Sequence, residues 1–261
     1  MTTNVGRMPY LNSALFYQAM NENRITLHPL VPTAMAAAAR SGEIDAGPIP
    51  LLDALDLDEG FESLGGYCIA TVDQAASILL FSAVPIEELN GKRVAVTGET
   101  STSVRLLKVL LSHRFHVKPE AYVALEDEAD AMLLIGDAAL QARHGVEGLP
   151  HRYDLGEEWR RWTGLPTVFA LWIVRRDLPQ AEKLSLQKAL RTGLDRGIQS
   201  LEEATAGRPD LGMSGDEVRQ YLEGFSYRLG AAERESMDMF TRLLDELSLP
   251  EEAIHAGRDQ A

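Results

Sequence analysis

The chain is poor in cysteine: Cys68 is the only one in 261 residues. A lone thiol closes no internal disulfide and builds no thiolate metal site by itself, so it reads as a small buried hydrophobe. Long apolar runs are missing, none approaching the roughly 20 residues that a spanning helix needs. The N-terminus lacks the basic segment and apolar stretch of a secretory leader, which makes a cytoplasmic protein the expectation. Positive charge is scarce. Lys and Arg number 25 against 39 Asp and Glu, a net charge of −14. Such a surface repels phosphate backbones, so neither nucleic acid nor a membrane is the expected partner. It also offers an anionic ligand no general attraction. Any anion site must therefore be local, made of backbone N–H groups, hydroxyls or a single arginine, with Arg7 and Arg105 as candidates. There is no P-loop, dinucleotide fingerprint, Gly-x-Ser-x-Gly elbow or paired-carboxylate signature. The six histidines, His28, His113, His116, His144, His151 and His255, are scattered and no carboxylate cluster accompanies them, so no metal and no cofactor is expected.

What the chain does have is alternation. "NVGRM", "PYLN" and "SALFYQAM" read as strand, loop and helix, with Asn12 or Ser13 as the N-cap. "ITLHPLV" follows as a strand. An alanine-rich helix comes next, with Thr33 as its cap and Gly42 near its end, then a strand around Ile44 to Ile49. From about Ser77 the plan repeats: "SILLFS" as a buried strand, a short helix, an Asn-Gly turn, a strand at Arg93 to Val96, a polar loop and a periodic helix. Val104, Leu107, Leu110 and Leu111 fall on one face of that helix. "AYVAL" and "AMLLIG" are further strands, and Asp137 is placed to cap "AALQAR". "TVFALWIV", Thr167 to Val174, is a second long apolar strand, and the rest reads helical, with Ser214 and Glu217 forming a capping box. Alternating strands and helices imply parallel sheets with helices on their faces. The expected fold is α/β and two-lobed, with residues 1–80 and 170–261 in one lobe and 81–169 in the other. "SILLFS" and "TVFALWIV" mark the two hinge crossovers, and additional helices follow at the C-terminus.

Parallel α/β sheets bind ligands beyond the carboxyl ends of their strands, near helix N-termini. Four loops lie at such places: "PYLNS", "AGPIP", "TGETSTS" and "IGDA". Five of the seven residues in "TGETSTS" carry a hydroxyl. A helix start adds free N–H groups and about half a positive charge, worth about 0.3–1 kcal/mol to an anion. Hydroxyls add donors without net charge, so Thr100, Ser101, Thr102 and Ser103 form a candidate cradle for a carboxylate or phosphate. The competing reading is plain capping by Ser101 or Thr102. Against its default role as a cap, the Asn12 amide, or the Ser13 hydroxyl, is the candidate to face this loop from the opposite lobe; Tyr10 either lines the site or packs, and Gly136 and Asp137 in "IGDA" are further candidates for the wall. Asp137 by itself is more often a cap than a catalyst, and Trp159 and Trp162 are most simply hinge packing.

With "GRMPYLNSALFY", "SILLFS", "TGETSTSVRLLKVLL", "LLIGDAAL" and "YDLGEEWRRWTGLPTVFALWIVRRD" in order, the chain resembles the chorismate dehydratase family of the futalosine route to menaquinone. The likeness runs from about Val5 to Leu247. It implies the fold of the type II periplasmic binding proteins in a cytoplasmic enzyme that removes water from chorismate to give 3-(1-carboxyvinyloxy)benzoate. It carries polar cleft roles onto Asn12 and Ser77, and a carboxylate-holding role onto Thr102 and Ser103. The family shows no obvious side-chain base, and the substrate's enolpyruvyl carboxylate, oriented by Asn12, could take the ring proton. The chain departs from its relatives at Gly47 to Pro50, where they often carry serines, and at Thr71 to Ser77. Two other readings stay open: the sister enzyme 1,4-dihydroxy-6-naphthoate synthase, which uses a histidine base, and a solute-binding protein without catalysis. The expected partner is the small-molecule substrate. A homodimer is an open expectation.

Overall fold

A computed structural model describes residues 2–20, 24–98, 100–203 and 207–248. The chain runs β1 (Thr3–Arg7), a 3₁₀ turn (Leu11–Tyr17), β2 (Ile25–Pro29), α1 (Pro32–Ser41), β3 (Ala46–Pro50), α2 (Leu51–Leu55) and β4 (Phe61–Thr71). It continues through β5 (Ile78–Ser82), β6 (Arg93–Val96), α3 (Thr102–Val109, extended by a π-helical segment Leu110–Arg114), β7 (Ala121–Val123) and β8 (Ala131–Ile135). Then come α4 (Gly136–Gln141), β9 (His151–Asp154), α5 (Leu155–Thr163), β10 (Thr167–Arg175), α6 (Gln180–Glu203), α7 (Gly215–Glu223), β11 (Phe225–Arg228) and α8 (Ala231–Ser248).

Two sheets result. One has the order β11-β4-β10-β3-β1-β2 and the other β7-β6-β8-β5-β9. The chain passes between them twice, at 72–77 and through α5, as the two-lobed expectation requires. β5 pairs only in the second sheet and β10 only in the first, so the boundaries drawn at 80/81 and 169/170 cut through strands. The sheets are mixed and not parallel throughout. β1 runs parallel to β2 and β3, and β6 parallel to β7 and β8, whereas β10 is antiparallel to β3 and β4, and β5 to β8 and β9. Geometry dictates this. β4 leaves its sheet for the other lobe and β10 returns from it, so their directions are opposed; β5 and β9 stand in the same relation. β10 is buried along both faces, which is why its sequence is one continuous apolar run.

Several local expectations need correction. The segment after "PYLN" is a 3₁₀ turn, and neither Asn12 nor Ser13 caps it. Ser13 Oγ instead donates backwards, to Met8 O at 2.8 Å and Tyr10 O at 2.9 Å. Helix α6 presses on the turn through Gly193 and Gly197; a Cβ at Gly193 would stand 2.7 Å from Phe16 O. That close approach fixes the turn, and with it the loop carrying Tyr10 and Asn12. Helix α1 begins at Pro32 with Val31 as its uncapped N-cap, so Thr33 does not cap it; Gly42 does end it, in the left-handed region. Asp137 does not cap α4. "AGPIP" is not a loop but β3, buried throughout. The Ser214–Glu217 capping box of α7 is present.

Asp154 buckles the two crossovers together. Its Oδ1 accepts from Ala75 N at 2.9 Å, Gly156 N at 2.9 Å and Glu157 N at 3.1 Å, and its Oδ2 from Ala76 N at 2.6 Å. Burial pushes the carboxyl above its usual value while these donors pull against it. α8 closes over the return crossover. Trp159 Nε1 donates to Ser236 Oγ at 3.0 Å, Ser236 Oγ donates to Pro166 O, and Phe240 meets Trp159 edge to face at 5.9 Å.

Candidate active site

A cleft lies between the sheets. One lobe contributes Met8, Tyr10 and Asn12 after β1, Pro32 at the start of α1, Pro50 at the end of β3, Ile69 of β4, and Phe169 and Ala170 of β10. The other contributes Ser77 and Ile78 at the start of β5, Thr100, Thr102 and Ser103 around the start of α3, and Ile135 and Gly136 after β8. Apart from Ser77, Ile78, Phe169 and Ala170, which lie at the starts of the antiparallel strands β5 and β10, these groups stand at the carboxyl ends of strands, where α/β sheets hold their ligands.

The polar groups of this wall are neutral. Among the described lining residues none is Asp, Glu, Lys, Arg or His; Glu99, in the hydroxyl-rich loop, lies outside the described residues. Arg7 sits over the Tyr17 ring and Arg105 donates to Ser101 O, so neither candidate arginine lines the cleft. His144 lines a separate cavity with Arg143, Arg152 and Glu157, and His151 belongs to β9. Among the described residues no group of His, Cys, Asp and Glu could hold a metal, and no helix is long and apolar enough to cross a membrane.

Two lining atoms stand out. Asn12 Oδ1 and Thr102 Oγ1 are buried without a hydrogen-bond partner. Leaving such an atom unpaired costs about 1–3 kcal/mol, and both belong to the cleft wall. Ser77 is held from behind: the Tyr221 hydroxyl donates to Ser77 Oγ at 2.8 Å, and Ser77 Oγ reaches Ala75 O at 3.2 Å. Burial drives the Tyr221 phenol far above its usual value, so it remains a donor. Tyr221 sits in the middle of α7, and nothing in the sequence tied it to "SILLFS". At the α3 start, Thr100 supplies the local acceptor, receiving Ser103 N at 3.2 Å. Neither Ser101 nor Thr102 caps the helix by its side chain.

Three candidates fall outside the lining. Ser13 is fully buried, with its hydroxyl spent on backbone carbonyls. Ser101 Oγ donates across the gap to Asp53 Oδ2 of α2 at 2.7 Å. Asp137 accepts from Leu11 N at 3.2 Å and meets Arg208 at 3.4 Å. Ser101 and Asp137 both join the lobes and do not face the ligand space.

A family model described as menaquinone biosynthesis matches residues 3–246. The chain belongs to the menaquinone biosynthesis family. Within what is similar to it, chorismate dehydratase of Thermus thermophilus is 29% identical over 260 residues, covering 92% of this chain and 94% of that protein. The 1,4-dihydroxy-6-naphthoate synthase of the same organism is 30% identical over 131 residues, 48% of this chain and 47% of that protein. An X-ray structure of an Archaeoglobus fulgidus protein superposes with a TM-score of 0.73 at 19% identity, covering 95% of this chain and 98% of that one. A Candida albicans protein described as having the generic periplasmic binding protein fold gives 0.55 at 12% identity, over 98% and 94% of the two chains. The fold of the family member is thus that of a two-lobed periplasmic binding protein.

Proposed function

We propose that the protein is a chorismate dehydratase, a hydro-lyase acting in the cytoplasm with chorismate as its small-molecule partner. The observation that carries the reading is the neutral cleft of a menaquinone biosynthesis family member, in which the buried Thr102 hydroxyl has no partner and can donate to a carboxylate, while Asn12 Oδ1 has none and can accept from a ligand O–H. The full-length likeness to a named chorismate dehydratase supports it. Chorismate carries two carboxylates. The start of α3, with Thr100, Thr102 and Ser103, offers hydroxyls and helix N–H groups for one of them.

In the proposed reaction the carbon bearing the enolpyruvyl ether loses its proton and the neighbouring carbon loses its hydroxyl. The C–H electron pair becomes a ring double bond, the C–O bond breaks, and the ring becomes aromatic. Proton and hydroxide leave as one water. Aromatisation supplies the driving force, so no strong side-chain acid is required. The enolpyruvyl carboxylate of the substrate accepts the proton and delivers it to the departing hydroxide. Asn12 orients that carboxylate by donating from its amide Nδ2, Ser77 holds the hydroxyl side, and Tyr10 closes the site against Gly136. Positioning of this kind can supply several kcal/mol, on the order of 7–11 in the best intramolecular cases.

Incubating the purified protein with chorismate tests this. The expected result is loss of the cyclohexadiene absorption, growth of a benzoate spectrum, and a product lighter than chorismate by one water. Chorismate that binds and is recovered unchanged would mark a binding protein instead.

A further inference from the structure

Behind the cleft lies a second, smaller cavity, and Thr102 lines both. Its other polar walls are Thr167, at the start of β10, and Ser236 of α8; Leu106, Trp159 and Phe240 help to close it. Thr167 is 5% exposed and Thr102 4%. The Oγ1 atoms of both are buried without a protein hydrogen-bond partner. About 10 Å³ of the cavity is open to the centre of a water molecule, which is the room one water takes. Ser236 Oγ already receives Trp159 Nε1 and donates to Pro166 O, and a hydroxyl oxygen with two lone pairs can accept once more. A site of this size with three polar walls meets the conditions for an ordered buried water, which makes two to four hydrogen bonds.

We propose that this cavity is a water site and that Thr167 is a positioning residue for ligand binding, acting through that water on Thr102. The Thr167 hydroxyl donates to the water oxygen. The water donates one proton to Thr102 Oγ1 and the other to Ser236 Oγ. With its oxygen so occupied, Thr102 turns its own O–H toward the cleft, where it donates to a carboxylate. Such a chain polarises along its length, each bond strengthening the next. The site gives the chain a reason to place a hydroxyl within an otherwise apolar strand, "TVFALWIV", where the isosteric valine would fit the sheet. The part of the proposal that concerns ligand rests on the chorismate reading; the water site does not.

A high-resolution crystal structure of the unliganded protein, with kinetics of Thr167→Val, decides it. The expected density is one water within hydrogen-bonding distance of Thr102 Oγ1 and Thr167 Oγ1. Thr167→Val is expected to raise KM for chorismate about fivefold, the effect of one ordinary hydrogen bond, with kcat within about twofold. Thr167→Ser restores the KM, and adding Thr167→Val to Thr102→Val raises it no further. A dry cavity overturns the proposal. So does an unchanged KM, or an equal rise in the Thr102→Val background, which would make Thr167 a packing residue. If the protein fails to turn over chorismate, the function reading falls alone, because the density still decides the water site.

Discussion

The ring of Tyr10 occupies the space that a side chain at Gly136 would need: a Cβ there would stand 2.8 Å from Tyr10 Cδ1. Tyr10 follows β1 and Gly136 opens α4, so the contact bridges the lobes across the cleft. Beside it Leu11 N donates to Asp137 Oδ1 at 3.2 Å. Gly136 also has φ +57°, which costs an L-residue about 1–2 kcal/mol. Gly136→Ala is therefore expected to lower unfolding free energy by about 2–3 kcal/mol once the displaced ring is included, and to raise KM for chorismate. Denaturant unfolding and initial rates measure the two effects. A variant as stable and as tightly binding as the parent would mean that ring and glycine are not in contact in solution.

Asn12→Ala separates chemistry from structure. Asn12 caps nothing, and its Oδ1 has no partner, so removing the amide takes away a buried polar atom as well as some packing. The expected stability change is under about 1 kcal/mol, because the cost of leaving that oxygen unpaired is relieved. Turnover of chorismate is expected to fall on the order of 100-fold or more, the scale seen when an orienting or charge-stabilising donor is lost. A variant that unfolds readily but keeps normal turnover would make Asn12 structural.

The reasons for what the sequence revealed differ from element to element. "TVFALWIV" is legible because a strand buried on both faces is apolar at nearly every position, here from Val168 to Val174. "RVAV", Gly42 and the Ser214 box were legible because they obey local rules. β4 was not: Gly65 and Gly66 interrupt it with φ of 65° and 69°, and such a pair reads as a turn. The cleft was half legible. Hydroxyl-rich "TGETSTS" announced a polar helix start, but the side chain that points across to Asp53 and the one that lines the pocket, Ser101 and Thr102, are neighbours in sequence. Only the three-dimensional path of the loop tells them apart. Tyr221 behind Ser77 and Asp154 across both crossovers are long-range pairings, 144 and 79 residues apart, which no local pattern encodes.

Asp154→Ala removes the acceptor for four backbone N–H groups in the two crossovers. It deletes an N-cap and leaves buried donors unpaired, so a loss of about 2–4 kcal/mol is expected. Chemical denaturation measures it. A loss below about 1 kcal/mol, no more than an ordinary helix cap, would show that the crossovers hold together without the carboxylate.

Cys68 offers a test by pH. It lies buried in β4, and burial, with the nearby Glu233 charge, pushes the thiol up to about 12. A raised folded value favours the protonated form, so its contribution to stability is full below the ordinary thiol range and is lost only as pH climbs toward the folded value. At pH near 8 the native protein should leave a thiol reagent unconsumed, while the urea-unfolded chain consumes one equivalent. Prompt labelling of the folded protein would contradict the buried placement.

Ser101 and Asp53 form a latch at the edge of the cleft. The bond is 2.7 Å long and ends on a carboxylate, and a hydrogen bond to a charged group contributes about 1.5–3 kcal/mol when shielded, less at a partly exposed edge. Ser101 is outside the pocket lining, so Ser101→Ala touches the closed state without touching ligand. The substitution is expected to shift the unliganded lobes toward an open form and to raise the radius of gyration in solution scattering. Saturating chorismate should draw the radius back to that of the parent, because ligand contacts to both lobes favour closure. KM should rise about two- to fivefold, the share of binding energy now spent on closing, while kcat stays near the parent's. If radius and KM both match the parent, the bond spans the gap without governing it, and closure must rest on other contacts between the lobes, such as those of Tyr10 and Asp137.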